Sequence, residues 1–296
     1  ANGAVHALRA DGRALPGWPV FTDPLEVHAD SPAYRDGVID VPVYSAILSG
    51  PSVGDLDRDG TLEVVASDLQ GRLYVWQRDG RRRPGFPVVT LPEYSFAYRS
   101  ERDLGTPEGL VPDRVHRLDR DNRLGRALLG GAALGNLDGS ADGSLEIVAG
   151  AYDRHVYAWY HDGTPVPGWP VLLKDPAKVA AVDPDTNTVT LVPGSGARIG
   201  TKIIAPPSLG DLDGDGDLEV VAVVNEGYLE PPNAVFENPI VQLFQAAGVL
   251  DSGNTRVYAL HHDGAAHGAS GLPRGWNPDA FVPGWPVATA LLTTEL

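Results

Sequence analysis

The sequence predicts an all-β fold, a β-propeller built of four-stranded antiparallel blades. Three observations carry that expectation. A closing phrase recurs four times, as Pro-Gly-Trp-Pro-Val at 16–20, 167–171 and 283–287 and as Pro-Gly-Phe-Pro-Val at 84–88. An Asp-Gly pair precedes each copy (Asp11-Gly12, Asp79-Gly80, Asp162-Gly163, Asp263-Gly264), and an alternating apolar run precedes each pair: AVHALRA, RLYVWQR, HVYAWYH and RVYALHH. Upstream of three copies an acidic loop leads into a second apolar run, in PSVGDLDRDGTLEVVAS at 51–67, AALGNLDGSADGSLEIVAG at 132–150 and PSLGDLDGDGDLEVVAV at 207–223. Internal self-similarity marks a repeat architecture, in which each unit buries its apolar face against its neighbours.

Each repeat reads as strand, acidic loop, strand, short link, strand, Asp-Gly turn, and a strand closing at Gly-Trp-Pro. Asp-Gly between alternating runs is the strongest short hairpin signal, because glycine takes positive φ without steric penalty. Four short antiparallel strands per repeat make a propeller blade. A blade remnant occupies 1–20, and full repeats occupy about 51–88, 132–171 and 207–287 of a single array over 1–296. Three insertions decorate it. Residues 92–131, rich in Arg and Asp, read as an exposed excursion. Residues 178–192 read as an extra hairpin turning between Asp183 and Asn187. Residues 225–254 contain NPIVQLFQAAG, a short helix with Asn238 as N-cap, Pro239 at its first position and Gly248 as terminator. The stretch GSGARIGTK at 194–202 lacks the Gly-Lys-Ser/Thr order of a phosphate loop and reads as a link between blades.

The 296 residues carry a net charge of −16 and include 35 Gly, 26 Pro, no Cys and no Met. The acidity excludes a nucleic-acid binder and an anionic-membrane surface, both of which need a basic face. The missing cysteine excludes disulfides, thiol catalysis and thiolate metal sites. No apolar run is long enough to span a membrane. The start, ANGAVHAL, is neither a Met nor an export signal, so the chain is expected to begin after processing or to be a piece of something longer. About three and a half blades are legible, and further blades are expected from the same protein or from another chain.

The acidic loops have metal-ligand spacing. Asp55, Asp57 and Asp59 alternate, Gly60 allows a sharp bend, Thr61 offers a carbonyl and Glu63 opens the next strand. The loop at 211 repeats the layout with Asp211, Asp213, Asp215, Gly216, the Asp217 carbonyl and Glu219. The loop at 136 is altered: Asn136, Asp138, two extra residues, then Asp142, Gly143, Ser144 and Glu146. Calcium takes six to eight hard oxygens. A solvated turn does not require three alternating acids and a fourth at fixed distance, whose repulsion is unfavourable without a cation. Two calcium sites are expected at 55 and 211, and a third at 136. An EF-hand is excluded, because LEVVA after the loop is strand rather than helix.

GDLDRDGTLEVV and GDLDGDGDLEVV resemble FG-GAP repeats, the calcium-loop blades of integrin-α-like propellers and of secreted bacterial proteins (the VCBS-type branch). The ending Asp-Gly…Pro-Gly-Trp-Pro-Val resembles the bacterial branch. The resemblance implies a calcium-stabilised β-propeller that is secreted, extracellular or at the cell surface, the periplasm included. It implies a non-catalytic role in adhesion, recognition or scaffolding, with a protein or glycan partner. Its loop ligands carry over onto Asp55, Asp57, Asp59 and Glu63 and onto Asp211, Asp213, Asp215 and Glu219, with the altered loop less closely matched. Two alternatives stand beside this reading: a propeller domain of a secreted polysaccharide-active or other enzyme, and a subunit of a multi-chain surface complex. No nucleophile elbow and no zinc-protease motif occurs, and no catalytic residue is assigned.

The aromatic residues at repeat positions read as packing: Trp18, Phe86, Trp169 and Trp285 at one position, and Leu8, Trp76, Trp159 and Leu260 at another. Trp276 falls outside the repeat phase and is the candidate recognition aromatic. His261, His262 and Asp263 read as a solvated turn.

Overall fold

Alternating runs joined by Asp-Gly turns should pair as antiparallel hairpins, and they do. The structure, a computed structural model, describes residues 3–25, 35–38, 42–94, 123–183, 189–195, 197–228, 255–268 and 276–289. Sheet I pairs β1 (Ala4–Val5) with β2 (Val20–Phe21). Sheet II has the order β3 (Ser52–Gly54), β4 (Glu63–Ser67), β5 (Arg72–Trp76), β6 (Val88–Val89). Sheet III repeats it with β7 (Ala133–Gly135), β8 (Glu146–Gly150), β9 (His155–Trp159) and β10 (Val171–Leu172). After these come a hairpin of β11 (Val179–Val182) and β12 (Val189–Leu191), then β13 (Ala197–Ile203). Sheet IV contains β13, β14 (Ser208–Gly210), β15 (Glu219–Tyr228), β16 (Thr255–Leu260) and β17 (Val287–Thr289). The helix expected at 238–248, the tip of the 183–187 turn and most of 92–131 lie outside the described residues.

Two-residue periodicity gives the middle strands of sheets II and III two apolar faces, and each face meets a different neighbour. Leu73 and Val75 of β5 pack with Leu56, Phe86 and Val88 against Ile147, Ala149, Tyr157 and Trp159 of sheet III. The alternate residues, Tyr74 and Trp76, pack against Val5, Trp18 and Val20 of sheet I. The third junction buries Val148, Val156, Ala158 and Val171 against Val220, Ala222, Tyr258 and Leu260. The first strands β3, β7 and β14 are neighbours. The sheets therefore stack face to face about their first strands, a β-propeller-like arrangement.

Three expectations need correction. The fourth strand does not close at Gly-Trp-Pro. It pairs once after the Asp-Gly turn (Trp76 with Arg82, Trp159 with Pro165), swings out through Pro-Gly-aromatic-Pro, and pairs again at β6 or β10. The stretch 194–202 is not a link, because β13 pairs with the extended second half of β15. Leu8 is 59% exposed rather than core, because among the described residues no strand covers that face of sheet I.

The excursion through Pro-Gly-aromatic-Pro forms a clasp between sheets. Gly17, Gly85 and Gly168 lie so close to the carbonyls of Asp79, Asp162 and Asp263 that a Cβ there would sit 1.8–2.0 Å from them. The indole N–H of Trp18 donates to the Arg78 carbonyl, and that of Trp169 to the His262 carbonyl, each at 3.0 Å. Phe86 fills the same place without a donor. Trp169→Phe should therefore cost about 1 kcal/mol, the net worth of one hydrogen bond. The check is the urea midpoint at unchanged m-value; an unshifted midpoint would remove the bond from the account.

Candidate metal centres at the blade junctions

Each acidic loop is pinned by the glutamate that starts the next strand. The N–H of Leu56 donates to Glu63 Oε2 at 3.0 Å, that of Leu137 to Glu146 at 2.6 Å, and that of Leu212 to Glu219 at 2.6 Å. The same leucines reach across the junctions: the Leu56 carbonyl accepts from Leu145 N–H, and that of Leu137 from Leu218 N–H. Loop conformation and blade docking are thus one structural problem.

In the 55 loop, ligand atoms of Asp55, Asp57 and Glu63 lie within 4.8 Å of one another. Asp55 Oδ2 accepts from Gly60 N–H and Asp59 Oδ1 from Thr61 N–H, which sets the bend. Asp55 Oδ1 and Asp57 Oδ1 are buried without a hydrogen-bond partner. Arg83 donates to Asp57 Oδ2 at 2.7 Å and lies 3.8 Å from Glu63. This guanidinium holds the Asp57 carboxyl below its usual range. Asp59, Thr61 and Glu63 border a cleft of about 460 Å³ shared with Arg9, Arg78 and Arg81.

In the 211 loop, Asp211, Asp213 and Asp215 converge within the same limit, and so do Asp213, Glu219 and His261. Asp211 accepts from Gly214 N–H and Asp215 from Asp217 N–H. The Asp217 carboxylate lies 3.2 Å from His262. In the 136 loop the two extra residues change the wiring. Asn136 and Asp138 both accept from Ser140 N–H, and Asp142 accepts from Ser140 Oγ and from the N–H and hydroxyl of Ser144. Among the described residues its carboxylates do not form a three-ligand cluster. Glu146 Oε1 here and Glu219 Oε1 in the 211 loop are nevertheless buried without hydrogen-bond partners, as Asp55 Oδ1 and Asp57 Oδ1 are in the 55 loop.

The all-oxygen group Asp55, Asp57 and Glu63, with its orphaned buried oxygens, fits a hard cation. Burial pushes the carboxyls of Glu63 and Glu146 above their ordinary value of 4.5. A carboxyl raised in the folded state contributes stability that is complete below 4.5 and is lost as pH rises through the folded value. In chelator, the melting temperature should therefore gain less between pH 4.5 and neutrality than in a Glu146→Gln variant, which keeps the acceptor without the charge. Parallel pH profiles for the two proteins would contradict this.

The opposite ends of the blades carry a second repeated device that the motifs did not reveal. A carboxylate accepts from a buried tyrosine: Asp68 from Tyr74 and Asp153 from Tyr157 at the turn between the second and third strands, and Glu226, in the extended second half of β15, from Tyr258. The tyrosine in turn accepts from the preceding link, Asp23 N–H at Tyr74 and Leu91 N–H at Tyr157. At the third junction the residue in that linking position is Lys174, whose ammonium donates to Glu226 at 3.0 Å with both side chains fully buried. The signal was present as a Tyr at one repeat position and an acid shortly after each loop glutamate. Trp276 also needs correction: it is 8% exposed and packs edge-on against Phe281 in the core, so it presents no recognition surface.

No family model matches the chain. No curated protein matches it either. Among solved structures, it is similar to a crystal structure of BBS1N in complex with ARL6DN, soaked with mercury, at 11% identity and a TM-score of 0.32, covering 73% of this chain and 52% of that one. A second, of the same complex soaked with lead, gives 12% identity and a TM-score of 0.27, covering 74% and 67%. The chain thus spans about half the length of the first. The propeller-like character of the fold rests on the chain's own stacked sheets.

Proposed function

We propose that this chain is a non-catalytic, calcium-ordered blade array of the FG-GAP type that serves as a protein-binding scaffold in an exported setting. Millimolar extracellular calcium suits loops of this kind, which work at about 10⁻⁴–10⁻³ M. A reactive centre is built once; here the same acidic loop recurs in three sheets, and two of the three are wired into a junction, which suits a structural ion.

The observation that carries the scaffold reading is a half-filled junction. Leu56 and Leu137 are 0% exposed beneath the next sheet, whereas their counterpart Leu212 is 50% exposed. Val287, the counterpart of the buried Val88 and Val171, is also exposed. Among the described residues nothing meets Gly284 where Gly17, Gly85 and Gly168 meet an Asp-Gly turn. At the other end of the stack, Gly12 of the first Asp-Gly turn is equally unmet among the described residues, as Leu8 is exposed. The two ends are the two halves of one clasp. The occupant that fits the sheet IV face is a blade of the same repeat, and a second copy associating head-to-tail would supply it.

Sedimentation velocity in calcium tests this. Association that rises with concentration and disappears in Leu212→Glu supports it. A single monomeric species at every concentration would overturn it.

A further inference from the structure

Antiparallel pairing of β15 with β16 sets Val220 opposite Leu260, so the next residues outward, Glu219 and His261, come side by side. The same register in the other sheets, Val64 with Trp76 and Ile147 with Trp159, brings Gln77 beside Glu63 and Tyr160 beside Glu146. Only sheet IV places an imidazole there. Ligand atoms of Asp213, Glu219 and His261 lie within 4.8 Å of one another. Glu219 is fully buried, and its Oε1 has no hydrogen-bond partner. The His261 ring is held by stacking on His267, with centroids 3.9 Å apart and planes 13° apart, and His267 is itself tied to Asp263 at 3.0 Å.

We infer that the sheet IV loop is a transition-metal site, in which Asp213, Glu219 and His261 take a zinc-class ion in preference to calcium. Calcium seeks oxygen donors alone and a large coordination number. Zinc takes imidazole nitrogen and carboxylate oxygen together, with three protein ligands and an open fourth position. An aromatic ring stacked on the ligand histidine limits its rotation, so the nitrogen is in place before the metal arrives. The inference rests on the reading that the loop holds a cation, and it changes which cation. The other two loops, which have no histidine at this position, remain calcium sites.

The test uses the whole chain with calcium in excess. Zinc binding is followed by calorimetry, and cobalt(II) serves as a spectroscopic probe. The expected result is one zinc per chain, with cobalt giving visible absorption of a four-coordinate nitrogen–oxygen site. His261→Gln installs the residue that sheet II carries at this position. It should weaken zinc by about 100-fold or more, since loss of a ligand exceeds the 10–100-fold typical of its supporting contacts. The calcium-dependent thermal shift should persist in that variant, which also shows that it folds. His261→Asn serves as a second variant. Zinc binding equal in wild type and both variants, or none in wild type, overturns the inference. Zinc bound through His261 without any calcium response would leave the inference standing and remove the calcium reading instead.

Discussion

Lys174→Met is expected to destabilise the protein by about 3–5 kcal/mol, the loss typical when one partner of a buried ion pair is removed. Lys174 crosses from sheet III into sheet IV, where its ammonium lies 3.0 Å from Glu226 with both side chains at 0% exposure. Burial alone opposes the charge on Glu226, but Lys174 and the hydroxyls of Tyr228 and Tyr258 outweigh it and hold the carboxyl below its usual range. Burial likewise pulls the Lys174 ammonium down against the attraction of Glu226. Methionine fills the stem's volume and removes the ammonium that faces the buried carboxylate. Changing Glu226 to Gln in the same chain removes that charge while keeping an acceptor for the tyrosines, and should restore most of the loss. Urea midpoints of the single and double variants form the check. A double variant no more stable than Lys174→Met would mean that packing, not charge, sets the effect.

If the loops hold calcium as proposed, its chelation is expected to have the other large effect. An ion bound only to the folded state adds about 2.7 kcal/mol per site at a hundredfold excess over its dissociation constant. For a chain of this size that is roughly 5 °C for each saturated site. The loops that would gain are those whose leucines bridge neighbouring sheets, so loss of the ion should loosen junctions as well as loops. Hydrogen exchange at the Leu145 and Leu218 amides, which donate across the junctions, should accelerate in chelator. Unchanged exchange there, with a fallen melting temperature, would confine calcium's effect to the loops themselves.

The hairpins and acidic loops were legible because their signals are local. Alternation in RLYVWQR and the Asp79-Gly80 turn specify β5 and its return whatever else the chain does. The ligand spacing from Asp55 to Glu63 lies within nine residues. What was not legible arises between segments. The role of Gly168 depends on Asp263 of the next blade, and that of His261 on a register shared by β15 and β16. Trp276 looked free because it stands outside the repeat phase, yet the chain folds it back onto Phe281. Lys174 resembled an ordinary surface lysine, since nothing adjacent announced Glu226, which stands 52 residues away. Strand β13 was missed because its partner is the unusually long β15, whose second half the repeat pattern assigns to an insertion.

In the proposed reading the acidic loops of sheets II and III hold calcium and the blades dock around it. Calcium titration of the whole chain by calorimetry, in zinc-free buffer, tests it most directly. Saturable binding is expected at the loops of sheets II and III, with one site lost when Asp55 and Asp57 are both changed to Asn, and weaker binding at the zinc-preferring sheet IV loop, lost when Asp211 and Asp213 are changed. Heats indistinguishable from dilution at calcium up to about 10 mM, well above the range for such modules, would contradict it.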